Sequence, residues 1–371
     1  MLPGVSARRD PEAALLRRRL ASQQLASPRL RSPLELVRQM GAVQAQDYPG
    51  GVWAIGLRLA GATQADVERA IEAGEIVRTW PMRRTLHFVP GEDARWMLRL
   101  LAVRQLAAGG YRYRALGLAE DDFARAARLL TRALRGGRRL TRVAAYEALR
   151  RGGVAPDGQR GMHVLAHLAQ AGLICCGPRE GAQPTFVLLE EWVPRPIDLE
   201  RDEALATLAL RYFGGHGPAT LHDFAWWSGL RVAEARRAIE AAGPGLVEER
   251  RDEASTWVAA DAPQAPRRAR TRAAALLPPW DEFLVAYRDR TAPTRELPAE
   301  LSNPLQYLGK PVLLVDGQVR GTWRRETRRA AVRVTLEVWS PLEERERREV
   351  ERAVARYGEF LGREVELADR V

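Results

Sequence analysis

A pattern that repeats three times along the 371 residues constrains this chain more than any other feature of it. Each repeat reads as a run of helices followed by a short β-rich segment. In the first, helical periodicity covers residues 13–25, 33–43 and 64–73, and residues 77–89 carry strand character. Ser32-Pro33 and Thr63 with Asp66 mark helix starts, because a side-chain oxygen can accept from the open first-turn N–H groups and proline or an acid suits that turn. In the second, Thr141 opens a helix at 142–151, another follows at 161–171, and residues 173–176 pair with 185–189. In the third, Pro218-Ala219-Thr220 opens a helix ending at Ser228, the next spans 231–242, and 246–249 pairs with 256–259. Helix-turn-helix plus hairpin, in tandem, is a winged-helix pattern.

The predicted fold class is α+β: three tandem winged-helix motifs with a C-terminal small β-barrel and terminal helix. The units expected are residues 1–90, 138–200 and 201–262, with a helical connector at 91–137. Residues 263–371 differ in character. They open with a basic linker, 263–272, then place strands at 312–315 and 319–323 around Asp316-Gly317, a strong hairpin signal. Residues 329–338 alternate apolar and polar as a half-buried strand should, and a charged amphipathic helix at 341–361 closes the barrel.

Charge narrows the function. Lys+Arg number 58 against 47 Asp+Glu, a net +11, which is the footprint of a nucleic-acid partner. Lys310 is the only lysine, a skew that fits a GC-rich genome and says nothing about bidentate recognition. Cys175 and Cys176 are adjacent, which disfavours a structural disulfide. No apolar run approaches the roughly 20 residues of a membrane helix, and no secretory signal opens the chain. A cytoplasmic, nucleoid-associated protein is expected, a monomer acting on duplex DNA, without membrane contact. Walker, zinc-spaced, G-x-S-x-G and dinucleotide fingerprints are all missing, so no metal and no cofactor is expected.

Three stretches are candidates for chemistry. In Gly41-Ala42-Val43-Gln44-Ala45-Gln46-Asp47-Tyr48-Pro49-Gly50-Gly51 a helix end runs into a Gly/Pro turn. Gln44 and Gln46 share a face only if this backbone is extended; both amides then point into one cleft, where they can orient water. Spacing alone fits equally well two amides that satisfy backbone groups at a helix end. Asp47, the better base, would point to the opposite face and stabilise the turn. The second stretch, 79–89, places Arg83, Arg84 and His87 on the first wing, where DNA phosphates are commonly met; His87 by itself also suits a structural role. The third is 317–333, where Arg320, Arg324, Arg325, Arg328, Arg329 and Arg333 surround Trp323 with one acid, Glu326, a composition suited to backbone contact plus stacking on a base or to a solvated ribbon. Asp281 and Glu282, close to arginines, read as a structural ion network.

At V-Q-A-Q-D-Y-P-G-G (43–51), R-T-W-P-M-R-R-T-L-H (78–87), G-P-A-T-L-H-D-F-A-W-W-S-G (217–229), L-L-P-P-W-D-E-F-L-V-A-Y-R-D-R (276–290) and V-D-G-Q-V-R-G-T-W-R-R (315–325) the sequence resembles the AlkZ-like family of bacterial winged-helix DNA glycosylases, the crosslink repair glycosylases typified by the azinomycin-resistance enzyme. The resemblance implies three winged helices and a β-barrel around duplex DNA, and a catalytic glutamine–apolar–glutamine motif falling on Gln44 and Gln46. A sister branch carries aspartate at the second position; this chain does not. It also departs from the family at Arg84, where glycine usually precedes T-L-H. The implied activity is hydrolysis of the N-glycosidic bond of cationic alkylated purines, N7-alkylguanine and N3-alkyladenine, with unhooking of interstrand crosslinks. The alternative is a non-catalytic winged-helix regulator, which more typically has one winged helix and a ligand or dimerisation domain.

Overall fold

A computed structural model describes residues 10–251, 254–262, 274–301, 303–327 and 331–370. In the first unit, α1 (Pro11–Ser22) is capped by Asp10 and α2 (Pro33–Met40) by Ser32. Gly41, at φ 74°, turns the chain out of α2 into the short strand β1 (Val43–Gln44). The next segment departs from the expected Gly/Pro turn: Tyr48–Leu57 is helix α3. Asp47 caps it through Gly50 N, Pro49 sits in its first turn where no N–H is needed, and every residue from Gly50 to Leu57 is buried. Burial overrides the poor helix propensity of three glycines. One of them brings α3 close to the residue that follows β1, since a Cβ on Gly51 would lie 2.9 Å from Ala45 Cβ. After α4 (Gln64–Glu72), strands β2 (Ile76–Met82) and β3 (Thr85–Pro90) form a hairpin whose two turn residues, Arg83 and Arg84, both have positive φ (52° and 58°).

A helical run follows: α5 (Ala94–Met97), a π-helical turn (Leu98–Ala102), α6 (Val103–Ala107), α7 (Gly110–Ala115) and α8 (Glu120–Leu134). The boundary expected at residue 137 does not match the packing. Phe123, Ala126, Leu130 and Leu134 of α8 share one apolar cluster with Leu149 and Leu165, so α8 belongs with the second unit. That unit continues with β4 (Leu140–Thr141), α9 (Arg142–Arg151), α10 (Arg160–Gln170), β5 (Ile174–Glu180), β6 (Gln183–Leu188) and α11 (Leu189–Trp192). Arg78 of β2 pairs with Cys176 of β5, which fuses the first two hairpins into a six-stranded sheet of order β1-β3-β2-β5-β6-β4.

The third unit holds α12 (Arg201–His216), α13 (Leu221–Ser228) and α14 (Val232–Ala242), then the separate hairpin of β7 (Leu246–Arg251) and β8 (Ala254–Ala259). Thr220 and Asp223 form a reciprocal capping box on α13. Beyond it, β9 (Ala274–Leu277) precedes two one-turn helices, α15 (Glu282–Val285) and α16 (Thr291–Thr294). Strands β10 (Val312–Val315), β11 (Gln318–Thr327) and β12 (Ala331–Val338), helix α17 (Glu344–Leu361) and strand β13 (Glu364–Arg370) complete the described chain. The sheet order is β13-β12-β11-β10-β9, a half-barrel closed by α17; the sequence gives no sign of β13, which pairs parallel to β12. The expected linker at 263–272 lies outside the described residues.

The half-barrel is not a separate module. Its Leu276, Trp323, Tyr357 and Phe360 share a cluster with Val52, Trp53 and Ile55 of α3. Trp53 Nε1 donates to Leu276 O at 2.7 Å, and its ring meets Tyr357 edge-on at 4.8 Å. Deeper still, Arg58 donates to both Asp281 oxygens (2.9 and 2.7 Å) with neither side chain exposed. The first and last parts of the chain therefore fold around one core, and that core fixes the position of β1. Among the described residues no helix is long and apolar enough to cross a membrane.

Candidate active site

Strand β1 is short, and the backbone from Val43 to Gln46 is tied along its length. Val43 pairs with Phe88 and Gln44 with His87, and Ala45 N donates to Leu86 O at 2.8 Å. Arg78 Nε donates to Ala45 O at 2.9 Å and its Nη2 to Gln46 O at 3.2 Å. Extended backbone puts residues i and i+2 on one side, but β1 ends at Gln44 and the chain bends at Gln46. Asp47 accepts from Gly50 N at 2.9 Å and starts α3.

The two amides meet different surroundings. Gln44 is 8% exposed, and its Oε1 accepts from Arg83 Nη2 at 3.1 Å. Gln46 is exposed, with Oε1 accepting from Leu86 N at 3.2 Å. It lines a cleft of about 420 Å³ between the first hairpin, α7 and the second unit, together with Arg84, Tyr113, Arg142 and His163; Gln44 is not part of that wall. Each carbonyl oxygen keeps a second lone pair that can accept from water.

Behind β1 lies a carboxylate contributed by a residue 238 positions away. Glu282 Oε1 accepts from Gln44 N at 2.8 Å; its Oε2 accepts from Trp227 Nε1 at 3.0 Å and lies 3.4 Å from His216 Nε2. Complete burial by itself would raise the Glu282 pKa, but His216, Arg83 and His87 outweigh burial and hold it down at about 2. Glu282 is thus an ionised group fixed against the backbone of Gln44. Sequence reasoning placed Asp281 and Glu282 in one ion network; Asp281 serves Arg58 in the core, whereas Glu282 serves the glutamine strand.

Arg83 connects the remaining parts. Nη1 donates to Trp227 O at 2.5 Å, and Nη2, besides Gln44, lies 3.1 Å from His87 Nε2. His87 Nδ1 lies 3.0 Å from Thr85 O. A carbonyl only accepts, so the hydrogen is assigned to Nδ1 and Nε2 accepts from Arg83. Burial and the Arg83 charge push the His87 pKa down to about 3, leaving a neutral ring. His87 was expected to meet DNA; it is fully buried and instead orients Arg83, which turns inward toward Gln44 rather than out to a phosphate. Arg84 does reach the surface, at the cleft, with Nη2 donating to Gln105 O at 3.3 Å. Its φ of 58° explains why glycine suits this position: only glycine adopts that backbone without strain.

The C-terminal hairpin corrects a second expectation. Trp323 belongs to the core: it is 6% exposed, its Nε1 donates to Leu277 O at 2.7 Å, and its ring meets Tyr357 at 5.1 Å. It has no free face for a base. Arg320 is held by Glu346 (3.2 Å) and Glu296 (3.6 Å). Arg324 and Arg325 are exposed, Arg325 donating to the Tyr357 hydroxyl. Arg328 and Arg329 lie outside the described residues.

Residues 37–360 match the family model described as DNA glycosylase AlkZ-like. The chain is 27% identical over 329 residues to a Streptomyces sahachiroi protein named interstrand DNA cross-link repair glycosylase, an alignment covering 81% of this chain and 84% of that one. A solved structure, Streptomyces sahachiroi DNA glycosylase AlkZ, shares the fold with a TM-score of 0.73 at 24% identity, covering 96% of this chain and 99% of the other.

Proposed function

Since the chain belongs to the AlkZ-like DNA glycosylase family and is therefore a hydrolase of N-glycosyl bonds, we propose that it excises cationic alkylated purines, N7-alkylguanine and N3-alkyladenine, from duplex DNA, with Gln44 and Gln46 as the catalytic pair. The three helix-and-hairpin units are read as winged helices that carry the duplex to β1. The observation that supports the proposal is the tied backbone around the two glutamines: β3 pairs with Val43 and Gln44, Glu282 accepts from Gln44 N, and Arg78 donates to Ala45 O and Gln46 O.

The chemistry asks little of the protein. Alkylation at N7 or N3 leaves the purine positively charged, so the N9–C1′ bond breaks with its electron pair passing to a base that departs neutral. No general acid is needed. Water adds to the oxocarbenium-like C1′ from the other side and releases a proton to solvent. Two oriented carboxamides place that water, and DNA phosphates help to hold the positive sugar. An undamaged purine would depart as an anion and is a poor substrate at such a site. The name of the Streptomyces relative, an interstrand cross-link repair glycosylase, extends the proposal to purines alkylated on both strands.

Single-turnover release of 7-methylguanine by purified protein tests the proposal. Gln46→Ala and Gln44→Ala should each slow excision, on the order of 10- to 1000-fold, the range for loss of one preorganised hydrogen-bonding group, while affinity for undamaged duplex stays within a few-fold. Near-normal rates in both variants refute the assignment.

A further inference from the structure

The helical run that joins the first two units takes no part in the chemistry above, yet it borders the cleft of Gln46. Its course is set by two irregularities: the π-helical turn at Leu98–Ala102 and a break at Gly109. A Cβ on Gly109 would fall 2.6 Å from the Tyr113 ring, so glycine there lets that ring fold back and pack edge-on against Phe123 at 4.9 Å. The run is anchored at two further points. Gln105 Nε2 donates to Pro81 O at 3.0 Å, and Arg104 Nη1 donates to Gly229 O at 3.0 Å. Helices α6 and α7 are therefore a fixed platform touching all three helix-and-hairpin units.

What the platform presents to solvent is out of keeping with a connector. Tyr111 is 79% exposed and Val103 58% exposed, and Arg112 and Arg114 beside Tyr111 are exposed as well. A lone surface valine is ordinary; a phenol ring standing out of a basic helical turn, next to two residues that line the cleft of Gln46, is less so. Gly109, Arg112 and Tyr113 line the same cleft as Gln46 and Arg84. The other exposed large aromatic side chain among the described residues, Trp226, is already engaged: its indole N–H donates to Val285 O at 3.0 Å, and Arg290 covers its ring. The stacking role that composition offered to Trp323 is closed by burial, and Tyr111 is the aromatic left free to take it.

We infer that α7 is a base-stack probe: the Tyr111 ring wedges into the duplex beside the nucleotide under attack, and Arg112 and Arg114 hold the flanking phosphates. The inference rests on the proposed action on duplex DNA. Apolar wedges flanked by basic residues partly unstack a base step, and the ring is complementary to any base because every base has a π-face. A bulky or crosslinked purine cannot readily leave the helix, so access to its C1′ has to be opened from the protein side.

The test uses duplexes carrying 7-methylguanine with a neighbouring 2-aminopurine, whose fluorescence rises on unstacking. Wild-type protein should brighten the probe on binding. Tyr111→Ala should abolish the brightening and slow excision by about 5- to 100-fold, the range for losing one base–aromatic stack, with an unchanged melting temperature because the ring is exposed. Tyr111→Phe should restore both readings. Replacing Arg112 and Arg114 together by alanine should reduce the slope of log affinity against log salt by about 2. Brightening in Tyr111→Ala equal to wild type overturns the inference and points the ring toward a protein partner. Because brightening is read on binding, it decides the matter even if the wild-type protein releases no 7-methylguanine, a result that would sink the excision proposal instead.

Discussion

Glu282→Gln tests whether the buried carboxylate behind β1 holds the glutamine strand. The carboxylate accepts from Gln44 N and Trp227 Nε1 through different oxygens. An amide of the same shape has one oxygen and one NH2, so whichever way it turns, one N–H faces another N–H in a buried site. Leaving a buried donor unsatisfied costs about 1–3 kcal/mol. Linkage gives a similar figure. The group titrates at about 2 in the fold against an ordinary 4.5, and at about 1.4 kcal/mol per pKa unit the charge contributes about 3 kcal/mol. The sign follows from the depressed value: this stability is fully present above the unfolded pKa near 4.5 and is lost as pH falls toward 2.

Urea unfolding of wild type and Glu282→Gln across pH 3–7 measures it. The variant should be less stable by about 3 kcal/mol at pH 7, and the gap should narrow steadily below pH 4.5. Excision of 7-methylguanine should fall with little change in DNA affinity, because the group touches Gln44 and not the duplex. A gap that is constant with pH, or no gap at all, refutes an ionised Glu282. Unaltered excision in a variant destabilised as expected refutes its positioning role.

Two further substitutions separate backbone effects from chemistry. Arg84→Gly removes a side chain from a left-handed residue and should stabilise the protein by about 1 kcal/mol, read by urea unfolding; a loss of stability would mean that the bonds to Gln105 outweigh the strain. Asp47→Ala removes the α3 cap and should cost about 1 kcal/mol while excision proceeds; a folded but inactive variant would instead give the aspartate the catalytic role.

The helix starts at Ser32, Thr63, Thr141 and Thr220 and the Asp316-Gly317 turn were legible because each depends on residues within four positions of one another. The glutamine strand was legible for the same reason, being a local departure from helix followed by Pro and Gly. Helix α3 was misread because Tyr48-Pro49-Gly50-Gly51 has turn composition, and only burial against the half-barrel core makes it helical. Trp323 was misread because alternation along β11 does not say which face is covered, and α17, which covers it, lies further along the chain. Glu282, Trp227 and His216 stayed invisible as a unit: they come from three separate segments, and no spacing rule links an acid to a main-chain N–H 238 residues away. The family resemblance located the segments of Trp227 and Glu282 without assigning them a contact, and His216 lies one residue outside the matching stretch.

The charges around the strand predict a flat pH–rate profile. His87 stays neutral down to about 3, because burial and Arg83 oppose its protonation, and Glu282 stays anionic down to about 2. Tyr48, which opens α3 two residues after Gln46, is raised by burial to about 12 and stays neutral. On the cleft wall, burial raises the Tyr113 hydroxyl and the Cys176 thiol, and burial with Arg112 and Arg84 lowers His163. Neutral His87, anionic Glu282 and neutral Tyr48 keep their charge between pH 6.5 and 9, so single-turnover excision at saturating enzyme should vary less than about twofold. Below that window His163 gains a proton, which should tighten DNA binding at the cleft without raising the rate. A general acid at His87 would behave differently, the rate dropping tenfold per pH unit above its pKa. A bell-shaped or falling profile centred between pH 6.5 and 8 would therefore refute the neutral two-amide site, and its persistence in Gln46→Ala would place the titrating group elsewhere in the cleft.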